Sequence, residues 1–205
     1  MFLQPILYTG LISACLALPN PSPPFEPPHD VKFPENAKCG EVNVFYTSGF
    51  TAYHPYVIEQ GLDPHAVDHD LRTSVADLVK AGFNVRVLFQ GPEQPLANLE
   101  DRLKHRQWDI TAEGFGIRGY RNGTASKRFE DNLYLLQQYA PHAPSVFNWG
   151  GPTLAESVTR RVPLTEDCSD KPGDLIAYEE ICAPDVCQKT TTVLNGNLTQ
   201  LLGGI

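Results

Sequence analysis

Between Val42 and Val162 short β-rich runs alternate four times with stretches of helical spacing, and few folds accommodate that order. The β-rich runs are 42–47, 84–89, 108–112 and 145–149. In the first interval Asp63 stands where a helix cap belongs and Pro64 suits the first helical position. Val67, Leu71, Val75 and Leu78 then share one face, and Gly82 ends the helix. Leu96, Leu99 and Leu103 mark a second helix, Phe129, Leu133 and Leu136 a third, and Leu154, Val158 and Val162 a fourth. Strands joined through helices by short connections lie parallel and need cover on both faces. The pattern therefore predicts an α/β domain over 39–163, a three-layer parallel sheet of Rossmann-like or flavodoxin-like type.

The flanking segments differ in character. Residues 1–18 are uncharged and rich in Leu, Ile and Phe, and Cys15 and Ala17 supply small residues ahead of a cleavage point, which reads as a secretory signal peptide. A buried N-terminal element is the other reading, and Ile12-Ser13-Ala14-Cys15 also resembles a lipobox, in which Cys15 would be lipidated rather than removed. Residues 19–38 hold seven prolines and form an extended leader. The remainder, 164–205, reads as an acidic tail carrying cysteines.

Once the leader is removed, Cys39, Cys168, Cys182 and Cys187 remain, an even number suited to two disulfides in an oxidising compartment. Each helix of such a fold returns to the amino edge of the sheet, so Cys168 emerges near Cys39. This favours Cys39 with Cys168 and Cys182 with Cys187, with a pairing through Cys182 left open. No Cys-x-x-Cys pair or nearby His supports zinc. Sequons at Asn122 and Asn197 fit a glycosylated, extracellular protein of eukaryotic type.

The formal charge is −8, and 163–187 alone holds Glu166, Asp167, Asp170, Asp174, Glu179, Glu180 and Asp185 against Lys171. Such a chain has no long-range attraction for phosphate backbones, which argues against nucleic acid as partner, and the short leader is no transmembrane segment.

Ligands of open parallel sheets bind beyond the carboxyl ends of the strands. Those ends are Thr47-Ser48-Gly49, Gln90-Gly91-Pro92, 113–120 and 148–152. The candidate ligand contacts are therefore Thr47, Ser48, Gly49, His54, Glu113, Gly114, Gly116, Arg118 and Asn148. Gly114-Phe115-Gly116-Ile117-Arg118-Gly119 matches G-x-G-x-x-G, but helical spacing resumes only at Phe129 and no acid closes the next strand. No dinucleotide is assigned, and the cofactor stays unknown. Arg118 can hold a carboxylate or phosphate in two-point geometry, or pair with Glu113 or a neighbouring loop carbonyl. His54 near Ser48 suggests a hydrolase, but no nucleophile elbow surrounds the serine. His65 and His69, four apart, have metal spacing but point away from the helix's apolar face, so no metal is assigned.

Trp108-Asp109, the run 114–119, Phe129-Glu130, Ala140-Pro141 and Phe147-Asn148 together resemble a group of small, mostly fungal α/β proteins without an established activity. The resemblance covers 44–162 and implies a Rossmann-like or flavodoxin-like fold and little else. Two functions are expected: a secreted protein that binds a small polar or anionic ligand at the sheet's carboxyl edge, enzymatic or not, or a non-catalytic effector that meets an extracellular protein through the aromatic loop 50–56. A hydrolase is the third.

Overall fold

In the computed structural model, residues 33–187, 189, 192–196 and 198–203 are described. The leader, most of the Pro-rich stretch, and Asn197 lie outside them. Six strands form one sheet in the order β4-β3-β1-β2-β5-β6: β1 (Asn43–Thr47), β2 (Asn84–Gln90), β3 (Ile110–Glu113), β4 (Ser145–Phe147), β5 (Leu175–Ile181) and β6 (Thr192–Leu194). The first five are parallel, and β6 runs antiparallel to β5.

The helices form where the sequence caps them. Asp63 accepts a hydrogen bond from the backbone N–H of His65 at 3.0 Å, Pro64 opens α2 (Pro64–Lys80), and Gly82 leaves it at φ +100°. A Cβ on Gly82 would also lie 2.4 Å from the Cys168 sulfur, so glycine is required there twice over. Asn122 caps α5 (Gly123–Tyr139) by accepting from the Thr124 N–H through Oδ1. N-glycosylation uses Nδ2, so the cap and a glycan are compatible.

Side chains alternate across the strands, and two apolar clusters result. Val44, Tyr46, Val85, Val87, Ile110 and Ala112 pack with Val75, Leu78 and Val79 of α2, Leu154 and Val158 of α6 (Leu154–Thr159), and Leu201 of α7 (Leu198–Gly203). Phe45 and Leu88 face the other way, against Leu99 and Leu103 of α3 (Ala97–Leu103), Trp108, and Leu135 and Leu136 of α5. The step from β1 to β2 is thus covered on one face, and the steps leading to β3 and β4 on the other. Parallel crossovers are right-handed, so reversing the direction of travel along the sheet switches the covering face. That reversal makes the carboxyl ends of β1 and β3 a topological switch point, where chains leave neighbouring strands in opposite directions.

Three features depart from the pattern read in the sequence. The segment read as an acidic tail supplies β5 and β6, with β5 paired to β2 along its length. The two acids of β5 are matched: Glu179 meets Arg86 and Arg102 at 3.0 and 2.8 Å, and Glu180 meets Arg72 at 3.5 Å. The glycine-rich run is a short helix, α4 (Phe115–Gly119), and α5 starts six residues before Phe129, at Gly123. The fourth strand ends at Phe147, which leaves Asn148 and Trp149 in the turn that follows.

Both disulfides are present, Cys39 with Cys168 and Cys182 with Cys187. No helix among the described residues is long and apolar enough to cross a membrane.

Candidate functional site

At the switch point a cavity of about 420 Å³ opens on the α2 side of the sheet. Phe50, α1 (Pro55–Glu59) through Val57, Leu62, and Val67 and Leu71 on α2 form its apolar wall. Phe115 and Trp149 stand at the rim, 47% and 73% exposed, and Tyr46, Ser48 and Asn148 form the buried end. The volume lies in the ordinary range for small-ligand sites. Asp70 is the only carboxylate among the described residues that line the cavity, and none of those residues is a Lys, Arg or His.

The buried end is made by the last turns of β1 and β4. Tyr46 shares the sheet face of Val44, so its ring enters the core, and the residue borders the cavity at its buried end. Burial pushes its pKa up to about 12, against a lowering hydrogen bond from Asn148, so the hydroxyl is neutral. Asn148 donates from Nδ2 to Tyr46 Oη at 3.3 Å and to the Gly150 carbonyl at 3.0 Å. Rotating the amide by half a turn would set Oδ1 against that carbonyl, which fixes the orientation. Asn148 Oδ1 is consequently buried without a partner, and the Tyr46 hydroxyl proton has no acceptor among the described residues.

The glycines of the candidate run serve close packing. Gly49 lies at φ +79°, and a Cβ there would fall 2.3 Å from Ile117 Cβ. On Gly114 it would fall 2.4 Å from Ser48 Cβ, and on Gly116 2.8 Å from the Ser48 carbonyl oxygen. Their absent side chains let α4 sit directly on the exit of β1. Thr47 is buried, and its carbonyl accepts from the Gly114 N–H at 2.7 Å.

Arg118 does not border the cavity. Its Nη2 donates to the Asn148 carbonyl at 2.8 Å, and its guanidinium lies 5.4 Å from the ring centres of both Phe115 and Phe147. Of the roles open to it, this is the contact with a neighbouring loop carbonyl, and it holds the β4 turn that carries Asn148. Glu113 points to the α5 side, where Asn132 Nδ2 lies 3.5 Å from Oε1 and Oε2 has no partner. Burial pushes its pKa up to about 8, although Asn132, Arg118 and Arg128 all pull it down.

Ser48 and His54 are not brought together. Ser48 Oγ donates to the Phe50 carbonyl at 3.5 Å, and the Phe50 ring stacks against the His54 imidazole, 5.2 Å centre to centre. His54 Nδ1 accepts from the Tyr56 N–H, so the proton sits on Nε2 and is donated to Glu93 at 3.2 Å. Burial raises the Glu93 pKa, but hydrogen bonds from His54, its own backbone and Gln94 outweigh it and hold the carboxyl below its ordinary value. His54 and Glu93 border a separate, smaller cavity of about 270 Å³. His65 Nδ1 is engaged by Tyr53 Oη at 3.1 Å, and no cluster of three or more His, Cys, Asp or Glu suited to a metal occurs among the described residues.

Of the candidate contacts read from the sequence, Ser48, Gly116 and Asn148 border the cavity; Tyr46, Val67, Leu71 and Trp149 border it too and were not among the candidates. A tyrosine inside a strand reads as core, and the two α2 residues lie on that helix's apolar face; only Trp149, at a strand's carboxyl end before two glycines, carried a positional signal.

No protein-family model matches the chain, and neither curated proteins nor solved structures yield a significant match.

Proposed function

We propose that the chain binds a small, uncharged and largely apolar ligand in the cavity at the carboxyl ends of β1, β3 and β4. The observation that carries this reading is an apolar-walled cavity bordered at its buried end by Asn148, whose Oδ1 is buried and unpartnered. A buried polar atom left unmet costs roughly 1–3 kcal/mol, which a ligand donor recovers on binding. Ser48 and Asn148 contact the ligand, and Arg118 and Gly114 position them. An anion is disfavoured because the lining holds no cation and Asp70 adds a negative charge.

The scaffold in this reading is a three-layer Rossmann-like domain of a secreted protein, in keeping with the two disulfides and with the resemblance to small fungal α/β proteins. Binding is preferred to hydrolysis because both His54 nitrogens are engaged and the Phe50 ring lies against its imidazole. An interaction surface on loop 50–56 is disfavoured, since Phe50 and His54 are buried and Tyr53 and Tyr56 are half-buried.

Gly150 supplies the test. Its φ of −179° is extended backbone open to any residue, and a Cβ there meets nothing nearer than Pro152 Cδ at 4.0 Å. Gly150 borders the cavity, so Gly150→Phe adds bulk at its wall with no backbone strain and no clash at the Cβ. Calorimetric titration with 2-phenylethanol is expected to give saturable binding to the wild type, weakened at least ~10-fold in the variant, at an unchanged melting temperature. Absence of saturable binding to the wild type, or equal binding to both proteins, overturns the reading.

A further inference from the structure

Resting on that reading, we infer that the buried end of the cavity recognises a hydroxyl group, so that the ligand class is a small hydrophobic alcohol or phenol. Two side chains make the site, Tyr46 and Asn148, each only 1% exposed and each bordering the cavity. They are adjacent, joined by the 3.3 Å hydrogen bond from Asn148 Nδ2 to Tyr46 Oη. Because that bond uses the tyrosine oxygen as acceptor, its O–H proton remains to be donated. Asn148 Oδ1, with no partner, remains to accept.

The site thus asks its occupant for one donor and one acceptor at neighbouring points. A hydroxyl offers both on a single atom. A ketone or ether accepts from Tyr46 but leaves Asn148 Oδ1 unmet. A carboxylate presents only acceptors to Oδ1 and brings a charge into a cavity without a cation. An ammonium presents only donors, leaves the Tyr46 proton unmet, and finds its single counter-charge, Asp70, in a residue that stays well exposed to water. Ser48 Oγ, held only by a 3.5 Å contact to the Phe50 carbonyl, borders the same end and adds a rotatable hydroxyl to it.

The experiment is a calorimetric series on one carbon skeleton: 2-phenylethanol, its methyl ether, ethylbenzene, 2-phenylethylamine and phenylacetate. The alcohol is expected to bind about 10-fold more tightly than the ether or the hydrocarbon, with the amine and the acid weaker still. In Tyr46→Phe, which retains the bond from Asn148 to Gly150, the advantage of alcohol over hydrocarbon should fall to within about threefold while hydrocarbon affinity stays unchanged. Equal binding of alcohol, ether and hydrocarbon to the wild type overturns the hydroxyl site and leaves the cavity reading standing. Tighter binding of the acid or the amine overturns the hydroxyl assignment in favour of a charged ligand. Failure of every member to bind overturns both.

Discussion

Replacing Cys39 and Cys168 together by alanine is expected to lower the unfolding free energy by about 5 kcal/mol, the loop-closure entropy of a cross-link of this span. The bond joins residues 129 apart, linking the approach to β1 with the connection that follows α6. Its surroundings are arranged around it. Gly82 leaves room for the Cys168 sulfur, and the Cys39 N–H donates to Glu166 Oε1 at 3.1 Å. The second disulfide closes a span of only 5 residues, for which the same relation gives about 2 kcal/mol. Urea titrations of the two double variants should therefore show unequal shifts of the midpoint, the larger one for Cys39 and Cys168. Equal shifts would mean that the long-range bond does not restrain the unfolded chain as its span implies.

Glu113→Gln is expected to stabilise the protein increasingly as pH rises from about 4.5 to about 8. The carboxyl has an ordinary pKa of 4.5 when unfolded and about 8 in the folded protein, where burial is the dominant cause. Between those values the folded state keeps a proton that the unfolded state has lost. Stability from this group is fully present below pH 4.5 and drains away towards pH 8, at a limiting slope of about 1.4 kcal/mol per unit. Glutamine keeps the shape and cannot ionise, so the variant's curve lacks that decline. Glu180, raised by burial and by Asp68, contributes with the same sign in both proteins and cancels in the difference. Unfolding free energies measured from pH 4 to pH 9 should converge at the acid end and separate above it. Parallel curves would place the ionised form of Glu113 in the folded protein at neutral pH.

What the sequence disclosed and what it hid divide along physical lines. The first long helix was readable because Asp63, Pro64 and Gly82 act locally, through a cap, a fixed φ and a left-handed exit. The return of each helix to the amino edge of the sheet favoured the observed pairing without closing the alternative through Cys182. β5 was concealed because Glu179 and Glu180 look solvent-facing, whereas Arg72, Arg86 and Arg102, distant in sequence, meet them in the fold. The run 114–119 looked like a loop because its glycines suggest turns, whereas three of them answer to neighbours: Ser48 for Gly114 and Gly116, and Phe115 for Gly119. The carboxyl edge does hold a cavity, and topology alone selects that edge. The lining was not legible, since Tyr46, Val67 and Leu71 come from strand and helix faces that no local pattern separates from core.

The most direct test of the cavity as the binding site is a titration of amide chemical shifts in the isotope-labelled protein with 2-phenylethanol. The account predicts saturable changes concentrated at 46–51, 57–71, 115–116 and 148–151, with β5, β6 and α3 unaffected. Saturable changes centred instead on His54, Glu93 and Thr124, around the smaller cavity, or no saturable change at all, would contradict it.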